Sequence, residues 1–243
     1  MKRLMVTVLI TLFAAVAFSD WLVEVKVEGM EYIHDQPLEL ALLLETIEND
    51  LATYDATENY LWITPDTPQG SYQAELFDHL QDLVCSLVHR EPYHFVGIYT
   101  RNHANGNTIL PVVYGEKRMT PPDPNGVPES LLQKTFSLSA DRSILAKAYN
   151  EGQGYFTTDI KRVMDATVVS GDVRDFQKQI GVRGYFAYPL KNGDYTIGLL
   201  VIATTEPGIT EDQFFRIKQY GDAATWLVVQ TVDLLAHPEK LAY

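Results

Sequence analysis

The sequence predicts an α+β domain in which an antiparallel β-sheet carries helices on one face. Two pairs of apolar segments support this prediction, because a short polar turn joins each pair. The turn 191–194, Lys-Asn-Gly-Asp, separates the apolar segments 184–190 and 195–204, and Asn-Gly is the strongest short hairpin signal. The Asn-rich turn 101–107 separates two further apolar segments in the same way. Hairpin strands are antiparallel, so helices before and after them can cover one face of the sheet.

Helices are predicted at both ends of this region. After residue 70 the apolar side chains recur at helical spacing until Pro92 ends the segment. The last helix begins at Thr210, with Gln213 three residues later to form a capping box. Shorter elements are predicted between the hairpins: a helix at 143–149, a strand at 155–158 and a partly helical polar segment at 161–180.

Residues 1–20 have the layout of an export signal. Lys2 and Arg3 precede an uncharged apolar run that ends in an Ala-x-Ala site. The run is short for a membrane span, which needs about 20 residues, so a cleaved signal peptide or a short anchor is favoured over a stop-transfer helix. The protein is therefore expected to be exported or membrane-anchored. A buried strand in a cytoplasmic protein is the alternative.

Residues 21–70 are predicted to hold a strand, a helix and a linker. Three valines alternate with charged residues over 21–28, as in a half-buried strand. The amphipathic helix 35–54 is acidic and would be repelled by anionic lipid, so it is expected to pack on the main domain or on a second copy. The Pro-rich segment 64–70 is the predicted linker, and 236–243 forms a carboxy-terminal tail.

Composition excludes several classes of function. Lys and Arg number 19 against 32 Asp and Glu, and a net charge of −13 lacks the basic footprint of a nucleic-acid-binding protein. The single cysteine, Cys85, excludes an intrachain disulfide and a multi-cysteine metal site. Cys85 and His89 share a helical face, but Cys85 lies beside an apolar stripe, so a packing role is expected. The six histidines show no metal-ligand spacing, so no metal site is predicted.

Four segments together resemble a GAF domain, a small-molecule sensor module related to PAS domains, over residues 71–235. They are 143–149 with the two glycines that follow, 155–159 (Tyr-Phe-Thr-Thr-Asp), the Pro-Leu and Ile-Gly-Leu-Leu-Val of the hairpin 187–201, and 209–214 at the start of the last helix. The resemblance implies a six-stranded or similar antiparallel sheet with helices on one face and a ligand pocket on the other.

The resemblance also bears on the ligand. The motif of cyclic-nucleotide-binding members has no counterpart between 159 and 180, and bilin-binding members use a cysteine later in the domain than Cys85, so both cofactors are disfavoured. Pocket positions of the family, with aromatic residues of the first hairpin, imply a ligand-binding set of Tyr99, Tyr114, Phe156, Thr158, Asp159, Tyr185 and Tyr188. The alternatives are that the aromatic residues fill the core and that Asp159 caps the following helix.

The expected function is a non-enzymatic sensor or regulatory module of signal transduction. Its ligand is an unidentified small molecule, neutral or cationic because the chain is strongly acidic. Only about eight residues follow the domain, so the signal is expected to pass through a homodimer, formed by helices 35–54 and 210–235, or through a separate output protein. Two alternatives are a small reductase-like enzyme, disfavoured by the single cysteine, and an assembly module whose pocket is filled with side chains.

Overall fold

The computed structural model describes residues 22–24, 38–52, 72–90, 92–101, 106–116, 135–163 and 181–231. These residues form seven strands and four α-helices. The strands are β1 (Leu22–Glu24), β2 (Tyr93–Arg101), β3 (Thr108–Glu116), β4 (Phe136–Ser137), β5 (Tyr155–Thr157), β6 (Gly184–Asn192) and β7 (Tyr195–Thr204). The helices are α1 (Leu38–Leu51), α2 (Tyr72–Arg90), α3 (Ile144–Glu151) and α4 (Glu211–Thr231), with a 3-10 turn at Ile160–Arg162.

All seven strands belong to one sheet in the order β1-β5-β6-β7-β2-β3-β4. Every pairing in it is antiparallel. Strand β7 lies at the centre, between its hairpin partner β6 and strand β2. The turn of this hairpin contains Gly193 with a left-handed φ of 60°. The predicted antiparallel sheet, with the 184–204 hairpin at its centre, is therefore confirmed.

The amino-terminal elements attach to this domain. Strand β1 pairs with the edge strand β5, with Leu22 opposite Thr157. Helix α1 packs on α2 and buries Leu40 and Ile47, while His79 Nε2 of α2 lies 3.8 Å from Asp50 Oδ2. Among the helices that the structure describes, none is long and apolar enough to cross a bilayer. The predicted export signal, the linker at 64–70 and the carboxy-terminal tail lie outside the described residues.

Helices α2 and α4 cover one side of the sheet, called here the two-helix face. Its buried strand residues include Tyr93, Val96, Ile98, Val113, Phe156, Phe186, Leu190, Leu200 and Ile202. Helix α2 approaches strand β3 closely, since a β-carbon at Gly115 would lie 3.3 Å from the backbone of Cys85. The two helices also contact each other, and Ser86 Oγ lies 3.0 Å from Tyr220 Oη.

Helix α3 and the 3-10 turn cover the opposite side, called here the short-helix face. Its buried strand residues are Tyr99, Ile109, Phe136, Tyr155, Tyr185, Ala187, Leu199, Val201 and Ala203. Neighbouring residues of β7 alternate between the two faces because successive side chains of a strand point in opposite directions. The sheet is thus covered on both sides, by two long helices on one and by shorter helical elements on the other.

Side chains at the helix termini satisfy backbone groups that would otherwise lack partners. The predicted capping box is confirmed: Thr210 N donates to Gln213 Oε1 at 2.9 Å, and Gln213 N donates to Thr210 Oγ1 at 3.2 Å. Ser143 Oγ caps α3 by accepting from two backbone N–H groups, at 3.2 and 3.4 Å. The same helix ends at Gly152, which has a left-handed φ of 62°.

Candidate functional site

The structure divides the seven predicted ligand residues between the two faces of the sheet. Phe156 and Tyr188 lie on the two-helix face, in or against its apolar core. The Phe156 ring covers Gly184, where a β-carbon would lie 2.4 Å from Phe156 Cζ. The Tyr188 ring packs against Phe214 of α4, with 6.2 Å between ring centroids. Both residues fill the space between the sheet and the long helices.

Three of the predicted tyrosines lie on the short-helix face. Tyr99 contacts Phe136 edge to face at 5.7 Å between ring centroids, and Tyr114 stacks on Phe95 at 6.1 Å. Burial raises the pKa of Tyr99 and Tyr185 well above the usual value, and the negative charge of Asp159 raises that of Tyr185 further. These buried phenols are therefore neutral near neutral pH.

Thr158 and Asp159 occupy the connection after β5. Thr158 is exposed to solvent. Asp159 Oδ1 accepts a hydrogen bond from Lys161 N at 3.0 Å and so caps the 3-10 turn, the role that the sequence offered as an alternative. The structure therefore does not bring the seven predicted residues together around one site.

A cleft of about 300 Å³ opens elsewhere, where the carboxyl end of α3 meets the ends of β2, β6 and β7. Its lining residues are Arg101, Tyr149, Asn150, Glu151, Gly152, Lys191, Asp194, Tyr195 and Thr196. None of them belongs to the ligand set predicted from the sequence. The volume lies at the lower limit for small-molecule sites, which usually enclose about 300–1,000 Å³.

Two glycine turns shape this cleft. Gly152 ends α3 in the left-handed conformation, and a β-carbon there would lie 3.3 Å from Lys191 Nζ and 3.4 Å from Thr196 Oγ1. A glycine at this position therefore lets the end of α3 approach the hairpin without filling the cleft. Gly193, also left-handed, reverses the chain between Lys191 and Asp194, so that both charged side chains line the cleft.

Two charged side chains of the cleft, Arg101 and Glu151, have hydrogen-bond partners. Arg101 Nε donates to the carbonyl oxygen of Gly106 at 2.6 Å. Burial raises the pKa of Tyr149, and the positive charge of Arg101 partly opposes that shift. The carboxylate of Glu151 accepts a hydrogen bond from the hydroxyl of Tyr155. Lys147 Nζ lies 5.7 Å from the centroid of the Tyr155 ring, in the geometry of a cation–π contact.

The cleft combines both signs of charge in a small volume. Arg101 and Lys191 contribute two cations, and Glu151 and Asp194 contribute two carboxylates. The sequence identified the segment 191–194 only as a hairpin turn. Its charged residues, Lys191 and Asp194, were the available signal, but their proximity to the end of α3 depends on the packing of that helix against the sheet.

The remaining candidate groups from the sequence were Cys85 and possible metal ligands. Cys85 is half-buried, and its Sγ lies 3.2 Å from Gln81 Nε2. Within the part of the chain that the structure describes, no group of three or more His, Cys, Asp and Glu side chains could hold a metal ion.

Comparisons with known proteins find similarity in structure alone. No family model and no curated protein matches the chain. The GAF domain of the Acinetobacter phosphoenolpyruvate-protein phosphotransferase aligns with a TM-score of 0.51 at 11% identity, over 83% of this chain and 97% of that one. This similarity shows the fold alone: the chain has a GAF-like fold, as the sequence resemblance predicted.

Two further solved structures align less closely. The GAF domain/HD domain protein from Geobacter sulfurreducens has a TM-score of 0.48 at 14% identity, over 64% of this chain and 93% of that one. The free methionine-R-sulfoxide reductase from Neisseria meningitidis has a TM-score of 0.46 at 12% identity, over 83% of this chain and 98% of that one.

Proposed function

We propose that this GAF-fold chain is a non-enzymatic sensor module that binds a small molecule in the cleft at the end of α3. The observation that carries the proposal is the cleft itself, about 300 Å³ lined by nine residues from a helix end and three strand ends. Two aromatic rings, several hydrogen-bonding groups and four charged groups line it, so the lining suits a small polar molecule.

The position of the cleft provides a route from ligand to output. Lys191 and Thr196 lie on β6 and β7, whose opposite face packs against helix α4. A ligand that shifts the end of this hairpin therefore acts on strands that contact the long helix directly. The output is proposed to be a change in how α4 meets a second copy of the chain or a separate protein.

A homodimer is the form of assembly that we propose. The apolar stripe of α1 is partly used within the chain, because Leu40 and Ile47 are buried, while Leu42 remains 53% exposed. Helix α4 retains partly exposed apolar residues such as Phe215 and Trp226. Light scattering at tens of micromolar is expected to show a dimer, and a monomer would contradict this part of the proposal.

The export signal is proposed on the amino-acid pattern of residues 1–17. The test is expression with a carboxy-terminal tag, followed by sequencing of the mature amino terminus. Loss of residues 1–17, or recovery of the protein in the membrane fraction, is expected. An intact Met1 on a soluble cytoplasmic protein would refute export.

The ligand-binding proposal is tested by screening a metabolite library for compounds that raise the melting temperature, with native mass spectrometry to detect bound molecules. Each hit is then titrated into Gly152→Ala, which adds a methyl group 3.3 Å from Lys191 Nζ. The matched control is Gly181→Ala, because Gly181 is also left-handed, with a φ of 70°, but a β-carbon there meets nothing within 4 Å.

Both alanine variants are expected to lose about 1 kcal/mol of stability from the left-handed backbone. Only Gly152→Ala is expected to lose ligand affinity as well, by about tenfold. The proposal is wrong if no compound stabilises the wild type, or if the two variants bind every hit equally.

A further inference from the structure

We infer that the cleft selects small zwitterions, molecules that carry an ammonium group and a carboxylate close together, over ions of a single sign. This inference rests on the proposed function and names the chemical class of its ligand. The lining contains two cations, Arg101 and Lys191, and two carboxylates, Glu151 and Asp194, within about 300 Å³.

Electrostatics distinguish the three kinds of ligand. The chain as a whole has a formal charge of −13, so its field repels a free anion from a distance. A free cation approaches more easily but meets Arg101 and Lys191 inside the cleft. A zwitterion has no net charge to be repelled, and each of its groups finds a side chain of opposite charge. Charge complementarity therefore favours a ligand with both groups.

The carboxylate of such a ligand has two candidate partners. The ammonium group of Lys191 lies against the turn that follows α3, 3.3 Å from the β-carbon position of Gly152. The guanidinium of Arg101 has five N–H donors in a planar fork, and the bond from its Nε to Gly106 fixes the side chain at the end of β2. A guanidinium is suited to hold both oxygens of a carboxylate.

The ammonium group of the ligand has two carboxylates available. The hydroxyl of Tyr155 donates to Oε2 of Glu151 and so restrains the orientation of this carboxylate. A carboxylate has two oxygens with about four acceptor positions, so one hydrogen bond leaves capacity for an ammonium donor. Asp194 lies on the hairpin, at the other edge of the same lining.

Size and apolar surface limit the ligand further. About 300 Å³ corresponds to roughly ten water molecules at ~30 Å³ each. That volume suits a molecule of the size of a single amino acid. Tyr195, which is 62% exposed, and the partly buried Tyr149 add aromatic surface to the lining. An apolar side chain on the zwitterion can pack against these rings.

The inference is tested by isothermal titration of the full chain with matched sets of compounds. One set is phenylalanine, phenethylamine and 3-phenylpropionate, and a second is leucine with its decarboxylated and deaminated analogues. Within each set the apolar part is constant and only the charged groups change. The zwitterion is expected to bind at least about tenfold more tightly than either single-charge analogue, because it uses both pairs of charges.

Charge-removing variants assign the partners. Lys191→Ala is expected to weaken zwitterion binding about fivefold and to leave amine binding unweakened, while Asp194→Ala is expected to weaken binding of the zwitterion and the amine. The matched controls are Lys218→Ala and Asp222→Ala. Lys218 and Asp222 are exposed and form an ion pair on α4, with Lys218 Nζ 2.8 Å from Asp222 Oδ2. Their substitution removes the same charges at a position away from the cleft. Less than a twofold effect is expected from either control.

Equal affinity for a zwitterion and for one of its single-charge analogues would overturn the inference, as would equal effects of Lys191→Ala and Lys218→Ala. If no zwitterion binds but another library compound binds and loses affinity in Gly152→Ala, the selectivity for zwitterions is wrong and the sensor proposal stands. If no compound of either kind binds, both are wrong.

Discussion

The two faces of the sheet are formed by the same strands but are covered very differently. Helices α2 and α4, of 19 and 21 residues, lie on the two-helix face, whereas α3, on the short-helix face, has 8 residues. A helix of 8 residues is about 12 Å long and ends before the strands do. The charged cleft lies at that end. The proposed ligand site of this chain therefore lies where the helical cover of the sheet is short.

Aromatic side chains show the same difference between the faces. On the two-helix face, aromatic rings pack directly against glycines. A β-carbon at Gly154 would lie 2.9 Å from Phe186 Cζ, and one at Gly221 would lie 2.6 Å from Tyr188 Cε1. These rings occupy all the space that the glycines leave, so they act in packing. At the cleft, by contrast, Tyr195 is largely exposed. Aromatic content alone therefore does not identify the proposed ligand site.

The largest expected change is a loss of stability when an aromatic residue of the packed face, rather than of the cleft, is removed. Phe186→Ala removes a fully buried ring from the two-helix face and is expected to lower the free energy of unfolding by about 3–5 kcal/mol, because the long helices cannot close over the cavity. Tyr195→Ala removes a ring that is 62% exposed and is expected to cost less than about 0.5 kcal/mol. Urea denaturation followed by circular dichroism measures both.

The same two variants give opposite results for ligand binding. Tyr195→Ala is expected to weaken a cleft ligand several-fold, and Phe186→Ala, measured at a temperature where it remains folded, is expected to bind normally. If Tyr195→Ala were as destabilising as Phe186→Ala, the distinction between a packed face and an open cleft would be wrong.

Both faces are expected to lose stability at alkaline pH, through the buried Tyr99 and the partly buried Tyr188. Burial raises the pKa of Tyr99 on the short-helix face and of Tyr188 on the two-helix face, where Asp222 raises it further. In the unfolded chain a phenol ionises near pH 10. Above that pH the unfolded state binds fewer protons than the folded state, so stability falls as pH rises. Below pH 10 the shifted pKa makes no difference to stability.

Each of these two phenols should contribute a loss that approaches about 1.4 kcal/mol per pH unit above pH 10. Tyr99→Phe and Tyr188→Phe are therefore each expected to reduce the slope of stability against pH by about that amount. Urea denaturation at pH 9, 10 and 11 measures the slope, with the value at pH 9 as the reference for each variant. An unchanged slope in Tyr99→Phe would mean that its phenol ionises in the folded protein.

Local features were predictable from the sequence because their causes are local. The hairpin at 184–204 is determined by an Asn-Gly turn between apolar segments, and the capping box at Thr210 by two side chains three residues apart. The alternation of a strand also predicts that neighbours such as Tyr155 and Phe156 face opposite sides. The short strand β4 at Phe136–Ser137 was missed, since two residues carry no detectable periodicity.

The candidate site was not predictable because it depends on long-range packing. Alternation does not say which set of side chains faces the long helices, and that choice separated Phe156 and Tyr188 from Tyr99 and Tyr185. The cleft joins residue 101, the end of α3 and the hairpin at 191–196, which are far apart in the chain. Only the antiparallel pairing of β2, β6 and β7, with α3 packed on them, brings these residues together.

The helix caps offer a smaller test of the two faces. Ser143 is buried and its Oγ accepts from two backbone N–H groups of α3, so Ser143→Ala is expected to cost about 1–2 kcal/mol. Thr210 caps α4 at an exposed site, where water can replace the lost bond, so Thr210→Ala is expected to cost about 0.5–1 kcal/mol. Thermal unfolding compares them, and a larger loss in Thr210→Ala would contradict the order.

One substitution in the two-helix face is expected to raise stability rather than lower it. Tyr93 is fully buried, and its hydroxyl has no hydrogen-bond partner among the described residues. Burial, followed by the nearby negative charge of Glu206, raises the pKa of this phenol, so it is buried as a neutral hydroxyl. Tyr93→Phe keeps the ring and removes the buried polar group, so it is expected to add about 1 kcal/mol, or about 2–4 °C in melting temperature.

Tyr220 on the same face provides the control of opposite sign. It is also fully buried, but its hydroxyl lies 3.0 Å from Ser86 Oγ, in a hydrogen bond that joins α4 to α2. Tyr220→Phe removes that bond and leaves the serine hydroxyl without it, so a loss of about 1 kcal/mol is expected. Calorimetry of Tyr93→Phe and Tyr220→Phe measures the change in unfolding stability. Opposite signs are expected, because only the Tyr220 hydroxyl has a hydrogen-bond partner among the described residues. A loss of stability in Tyr93→Phe equal to that in Tyr220→Phe would show that Tyr93 has a partner in the folded protein.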